Sequence, residues 1–223
     1  MKNIIIALDG IDFKTSLKYL NEVQDKIYGI KINHMLLPHL PDYIKDGYKV
    51  FVDLKLYDIP NTVEKILEWL IAQKAHMTTV HFENGETCLE RISPLTKDID
   101  ILIVSRLTSF EPDETRQRSM YAHMKTTEFY SKFNVILSPM DLKLFNEFDT
   151  DHKFKRYCPG IRFEKEPERY YEWMLWKMKQ DDQVRISTPE YAIENGADYL
   201  IIGRPLIKAI KSGTVTNLSH LFN

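Results

Sequence analysis

Cysteine is almost missing from this chain: Cys88 and Cys158 are the only two in 223 residues. Two widely separated thiols supply neither a disulfide framework nor zinc-ligand spacing. Charge of one sign is missing as well. The net charge is −2, with Lys and Arg spread along the chain, so no electrostatic footing exists for nucleic acid or an acidic membrane surface. No apolar run approaches the roughly 20 residues of a membrane-spanning helix. The opening Met1-Lys2-Asn3-Ile4 enters a short apolar run that Asp9 interrupts, with no cleavage-site pattern behind it, so a secretory leader is not expected. His34 and His39 stand five apart on an expected loop, and nothing around them supports metal ligation. Linkers and low-complexity stretches are absent too. What remains is a chain with 43% hydrophobic and 28% charged residues, enough to bury a full core, read as one domain over residues 1–223 of a cytoplasmic enzyme.

Strand-like and helix-like segments alternate from end to end. Apolar, β-rich runs fall at residues 4–8, 28–32, 49–54, 78–81, 101–104, 134–137, 156–161 and 199–202. Near-continuous apolar runs of this kind indicate strands buried on both faces, as parallel sheets require. Amphipathic stretches such as 13–26 and 62–74 carry apolar residues at helical spacing, and Trp69 reads as helix core. Gly29, Gly47 and Gly196 precede strands, where a finishing helix calls for a left-handed residue. Thr188-Pro189 reads as an N-cap followed by a first-turn proline. Eight βα units predict a TIM barrel; a doubly wound open sheet has the same local pattern, but no Gly-x-Gly-x-x-Gly turn follows the first strand.

In a TIM barrel the active site lies at the C-terminal strand ends. The first run ends in Asp9, the second contains Lys31, and the third ends in Asp53 and Lys55. Period-two spacing sends Asp53 and Lys55 out of one strand face, and Pro60 then stops the strand because it cannot donate to a ladder. Later runs lead into Thr108-Ser109, Gly160-Ile161-Arg162 and Gly203-Arg204. Charges of both signs beside a buried strand are costly unless paired or used. A phosphate-bearing, hydroxyl-rich substrate suits such a mouth. Blander readings use the same residues: a strand-end salt bridge at Asp53-Lys55, a solvated edge lysine at Lys31, a plain turn at Gly203 and a surface charge at Arg204. Asp141-Leu142-Lys143 repeats the Asp-Leu-Lys triplet, but after Ser138-Pro139 it reads as a helix start with a solvated charge pair.

The stretch Asp53-Leu54-Lys55-Leu56-Tyr57-Asp58-Ile59-Pro60-Asn61-Thr62 resembles the Asp-x-Lys-x-x-Asp-Ile-Pro-Asn-Thr signature of the orotidine 5'-phosphate decarboxylases and matches it throughout. Pro159-Gly160-Ile161-Arg162, Asp182-Gln183-Val184-Arg185 and the segment from Gly196 to Pro205 resemble that family's further motifs, in order. The resemblance implies decarboxylation of orotidine 5'-monophosphate with no metal or organic cofactor. It implies an alternating catalytic array of Lys31, Asp53, Lys55 and Asp58, with Lys55 as the proton donor. Asp9 would contact the ribose, Thr108 the pyrimidine, and Gln183, Gly203 and Arg204 the phosphate, with Arg162 in the neighbouring motif. Asp58, Ile59 and Thr62 would reach a second subunit's site, which implies a homodimer with shared sites.

Two departures from the family pattern stand out. His81-Phe82-Glu83-Asn84-Gly85 replaces a small-residue turn, and His81 reads as packed or supporting rather than catalytic. Between Arg162 and Gln183 lie 20 residues in place of a short Gly-bearing connection, and the stretch 170–178 reads as a short, very apolar helix, with simple packing ranked ahead of an enlarged lid or a dimer contact. Two rival functions share parts of this pattern. A magnesium-dependent sugar-phosphate branch has Asp-x-Lys-x-x-Asp but normally lacks Ile-Pro-Asn-Thr. A non-catalytic nucleotide binder would have no need of all four array positions.

Overall fold

The structure is a computed structural model and describes residues 3–163 and 185–213. Along these residues, strands and helices alternate: β1 (Ile4–Ala7), α1 (Phe13–Val23), β2 (Gly29–Ile32), α2 (Leu40–Lys45), β3 (Val50–Leu56), α3 (Pro60–Ala72), β4 (Met77–His81) and α4 (Glu86–Ile92). They continue as β5 (Asp100–Val104), α5 (Glu114–Thr126), β6 (Asn134–Ile136), α6 (Leu142–Asn146), β7 (Arg156–Cys158), α7 (Pro189–Glu194), β8 (Tyr199–Ile202) and α8 (Arg204–Lys211). Every strand pairs in parallel with its sequence neighbours, and β8 returns to β1 with Ile201 opposite Ile5. That last pairing closes the barrel and excludes the open sheet. The expected TIM barrel is what forms.

Strand alternation sorts the residues into two cores. Ile4, Ile6, Ile30, Ile32, Val50 and Val52 face outward into the layer between strands and helices. Ile5, Phe51, Met77, Leu102, Ile136, Tyr157 and Ile201 fill the barrel interior. Lys31 and Asp53 therefore fall on the inner side, and both are buried. The N-terminal end of the barrel is stopped by aromatic rings: Tyr199 packs 4.5 Å from both Tyr157 and Tyr28, and the Lys49 ammonium lies 4.4 Å over Tyr28. With that end closed by apolar matter, polar side chains gather at the other.

Several sequence expectations change in detail. Helix α3 begins at Pro60 rather than Thr62, since a proline fits the first helical turn, where an N–H has no intrahelical partner. Trp69 is not core: it is 45% exposed, because Val63, Leu67 and Leu70 form the buried stripe of α3 and Trp69 lies off it. Strand β7 stops at Cys158, and Ile161 instead bridges to Ser187. Gly47 and Gly196 are left-handed, at φ +85 and +90, as a helix end requires. Gly29 is not. It heads β2, where a Cβ would come within 2.5 Å of the Lys49 carbonyl oxygen, so the constraint there is space. Among the described residues no helix is long and apolar enough to cross a membrane.

Because the atom facing Gly29 is backbone, Gly29→Ala forces β2 and β3 apart. Denaturant unfolding of that variant is expected to show a loss of about 1–3 kcal/mol, the usual cost of overpacking. An unchanged midpoint would mean that the strands yield freely at this point.

Candidate active site

At the C-terminal ends of the strands opens a cavity of about 650 Å³. Asp9, Lys31, Asp53 and Lys55 line one side; Thr108, Arg162, Gly203 and Arg204 also line it. The charged residues form one continuous chain of contacts. Lys31 Nζ donates to Asp9 Oδ2 at 2.6 Å and to Asp53 Oδ2 at 3.0 Å, and Lys55 Nζ donates to the same Asp53 oxygen at 2.6 Å. Burial falls toward the solvent: the side chains of Asp53 and Lys31 are 3% and 9% exposed, that of Lys55 39%. Burial by itself pushes the Asp53 carboxyl up, but the Lys31 and Lys55 ammonium groups outweigh it and hold it well below the usual carboxylate range. Burial likewise pulls Lys31 down, and Asp53 and Asp9 overcome it, leaving Lys31 above an ordinary lysine. Asp53 and Lys31 thus keep their charges in spite of burial.

The backbone beneath it is irregular. Val52 pairs with Thr78 and Leu56 with Val80, so Asp53, Leu54 and Lys55 stand against the single residue Thr79. Lys55 takes up the excess at φ +49, in the left-handed region that a lysine rarely enters. Its N–H donates to Thr79 Oγ1 at 2.8 Å, and the Thr79 hydroxyl donates to Asp53 Oδ1 at 2.8 Å.

Asp58, Ile59 and Thr62 lie outside this cavity. The Asp58 N–H donates to Asn84 Oδ1 at 3.0 Å, and its carboxylate accepts from the Ile59 N–H at 2.7 Å. Asp58 is exposed, and Tyr57 and Ile59 beside it are 65% and 67% exposed. Asn84 also donates to the carbonyls of Leu56 and His81, so the altered turn after β4 is tied to the end of β3. His81 is half-buried against Tyr57 and is not in the cavity lining. Its pKa is lowered, chiefly by burial, so the ring is neutral at physiological pH. Gln183 and the apolar stretch 170–178 fall outside the described residues.

On the far side, a second buried ion pair braces the mouth. Arg185 is fully buried, pairs with the Asp141 carboxylate, and donates to the carbonyls of Arg106 and Leu107 at 3.1 and 2.8 Å. Its N–H donates to the Thr108 carbonyl at 3.1 Å, and Ser138 Oγ donates to the Arg185 carbonyl. The segment that presents Thr108 is thereby clamped from below. Asp141 is thus no solvated helix-start charge: it is 4% exposed, and the expectation failed because its partner lies far along the chain. Sequence reading also missed Thr79 and Asn84, whose roles exist only across strands. Among the described residues no cluster of three or more His, Cys, Asp and Glu is arranged to hold a metal ion.

Barrel and array together define a TIM-barrel enzyme with an ionic site at the strand ends. Residues 2–215 match the sequence model of the Orotidine 5'-phosphate decarboxylase / HUMPS family, and the chain belongs to that family. It is 34% identical to an orotidine 5'-phosphate decarboxylase of Dictyoglomus turgidum, over 92% of this chain and 88% of that one. A Staphylococcus saprophyticus orotidine 5'-phosphate decarboxylase is 32% identical over 94% and 93%. Among solved structures, an orotidine 5'-monophosphate decarboxylase of Methanocaldococcus jannaschii complexed with inhibitor BMP shares the fold, with TM-score 0.74, 18% identity and coverage of 100% and 99% of the two chains.

Removing one half of a buried ion pair leaves the other charge uncompensated. Asp141→Ala is therefore expected to cost about 3–5 kcal/mol in chemical unfolding, and to speed amide exchange at Arg185 and in the segment it clamps. Loss of stability with unchanged exchange in that segment would show that Arg185 does not brace it.

Proposed function

We propose that this protein decarboxylates orotidine 5'-monophosphate to uridine 5'-monophosphate (UMP), a step of pyrimidine biosynthesis. The single observation that carries the reading is the Asp9–Lys31–Asp53–Lys55 chain in one cavity with Gly203 and Arg204. Gly203 opens α8, where a backbone N–H approaches a phosphate oxygen without obstruction, and the Arg204 guanidinium suits the same group. Thr108 holds the pyrimidine and Lys31 the ribose, while Gln183 and Arg162 serve the phosphate side.

In this mechanism the bond between C6 and the carboxylate breaks, CO2 departs, and the electron pair stays on C6. Asp53, held anionic, disfavours the substrate carboxylate beside it and loses that repulsion as CO2 leaves. The Lys55 ammonium stabilises the developing carbanion and transfers a proton to C6; solvent then restores the proton to Lys55. Ground-state charge placed before the reaction begins costs no reorganisation during it. A cytoplasmic location belongs to the same proposal.

The test is turnover of orotidine 5'-monophosphate by the wild-type protein, with and without a chelator. UMP formation unaffected by chelation is expected. No turnover would defeat the reading, and turnover abolished by chelation would overturn its metal-free form. Within an active enzyme, Lys55→Ala is expected to lower turnover by about 10²–10⁴-fold, the range for a positioned proton donor, with UMP affinity largely intact. Near wild-type turnover would remove Lys55 from the chemistry.

The fourth array member, Asp58, is proposed to act in a second copy of the chain within a homodimer. Support comes from its position outside its own cavity and from the exposed Tyr57 and Ile59 on either side. Asp58→Ala and Lys55→Ala proteins are each expected to be inactive alone. Mixed under subunit exchange, they should regain roughly a quarter of wild-type activity per subunit, because half of random dimers are mixed and each has one intact site. Exchange seen by mass spectrometry without returning activity would place the action of Asp58 within its own chain.

A further inference from the structure

We propose that Thr79 is a positioning residue for Lys55 and Asp53, holding both through one hydroxyl that never touches the cavity. This inference rests on the decarboxylase reading of the site.

The bulge in β3 creates the need. Three residues against one interrupt the ladder to β4, and the Lys55 N–H is left inside the protein without a strand carbonyl to receive it. Thr79 is fully buried and outside the cavity lining, so water has no part in meeting that need. Its hydroxyl accepts from the Lys55 N–H and donates to Asp53 Oδ1, both at 2.8 Å. A hydroxyl has one proton and two lone pairs, so one atom fills both roles at once. The donation to Oδ1 leaves Oδ2 for the two ammonium groups, which fixes the carboxylate plane. The acceptance holds Lys55 at φ +49, and the backbone angle sets where its side chain leaves the strand. The direction of the reacting ammonium and the orientation of its partner carboxylate thus share one restraint. Strained backbone persists only where its surroundings over-determine it, and Thr79 supplies that surrounding group.

Thr79→Val keeps the shape of the side chain and removes the hydroxyl; Thr79→Ser keeps the hydroxyl. Orotidine 5'-monophosphate kinetics would be measured on wild type and both variants, with kcat normalised to sites counted by UMP binding. The valine variant is expected to lose on the order of tenfold to a hundredfold in kcat, as a small misplacement of a reacting group does, with KM and UMP affinity little changed. The serine variant should recover most of that loss. The amide of Lys55 is expected to be protected from hydrogen exchange in wild type and serine proteins and unprotected in the valine protein. Should the valine protein fail to accumulate, Thr79→Ala carries the same test. A normalised kcat within about twofold of wild type, a parallel rise in KM, or no recovery by serine would overturn the proposal. A wild-type protein that does not turn over substrate would defeat the decarboxylase reading instead, and the Lys55 amide would still report whether Thr79 holds it.

Discussion

One carboxylate, almost wholly withdrawn from water, organises the mouth of this barrel. Asp53 accepts from Lys31 and Lys55 on one oxygen and from Thr79 on the other. Moving an ion out of water costs several kcal/mol even after relaxation, and an isolated carboxylate in this position would take up a proton instead. Two ammonium groups and a hydroxyl reverse that outcome. Through Lys31 the arrangement extends to Asp9 on the loop after β1, and through Thr79 to β4. Four consecutive βα units are coupled through buried polar groups that would each be costly to strand alone.

The opposite half of the mouth follows the same physics with different residues. Arg185 and Asp141 form a buried pair, and the other terminal nitrogen of the guanidinium donates to two backbone carbonyls at the exit from β5. An arginine suits this task because its planar fork reaches a carboxylate and backbone carbonyls at once without reorienting. The outcome is a cavity whose two sides are each held by a buried ion pair. Such a cavity offers preorganised charge, the form of stabilisation that the proposed decarboxylation calls for.

Irregular backbone sits where these demands meet. The left-handed Lys55 and the bulge around it are absent from the N-terminal half of β3, where Val50 and Val52 pair regularly. Regular strands deliver a residue to the barrel's end, and the departure from regularity aims it.

Sequence alone determined the order of strands and helices, because burial on both faces writes itself as short apolar runs and the amphipathic helices between them write a 3.6-residue period. It also determined that Asp9, Lys31, Asp53, Lys55, Gly203 and Arg204 share one end of the barrel, since parallel βα alternation sends every strand end to the same side. Tertiary structure decided the partners. Trp69 reads as core until Leu67 and Leu70 take the buried stripe, and Asp141 reads as solvated until Arg185 arrives from a distant segment. Gly29 reads as a helix end until the Lys49 carbonyl occupies the space where its side chain would be. Thr79 carries no local signal, because its hydroxyl matters only once a bulge in β3 leaves an N–H in front of it. Local patterns report the period of an element; which face turns inward and which group a residue meets depend on segments brought together by closing the barrel, and no short-range period encodes that.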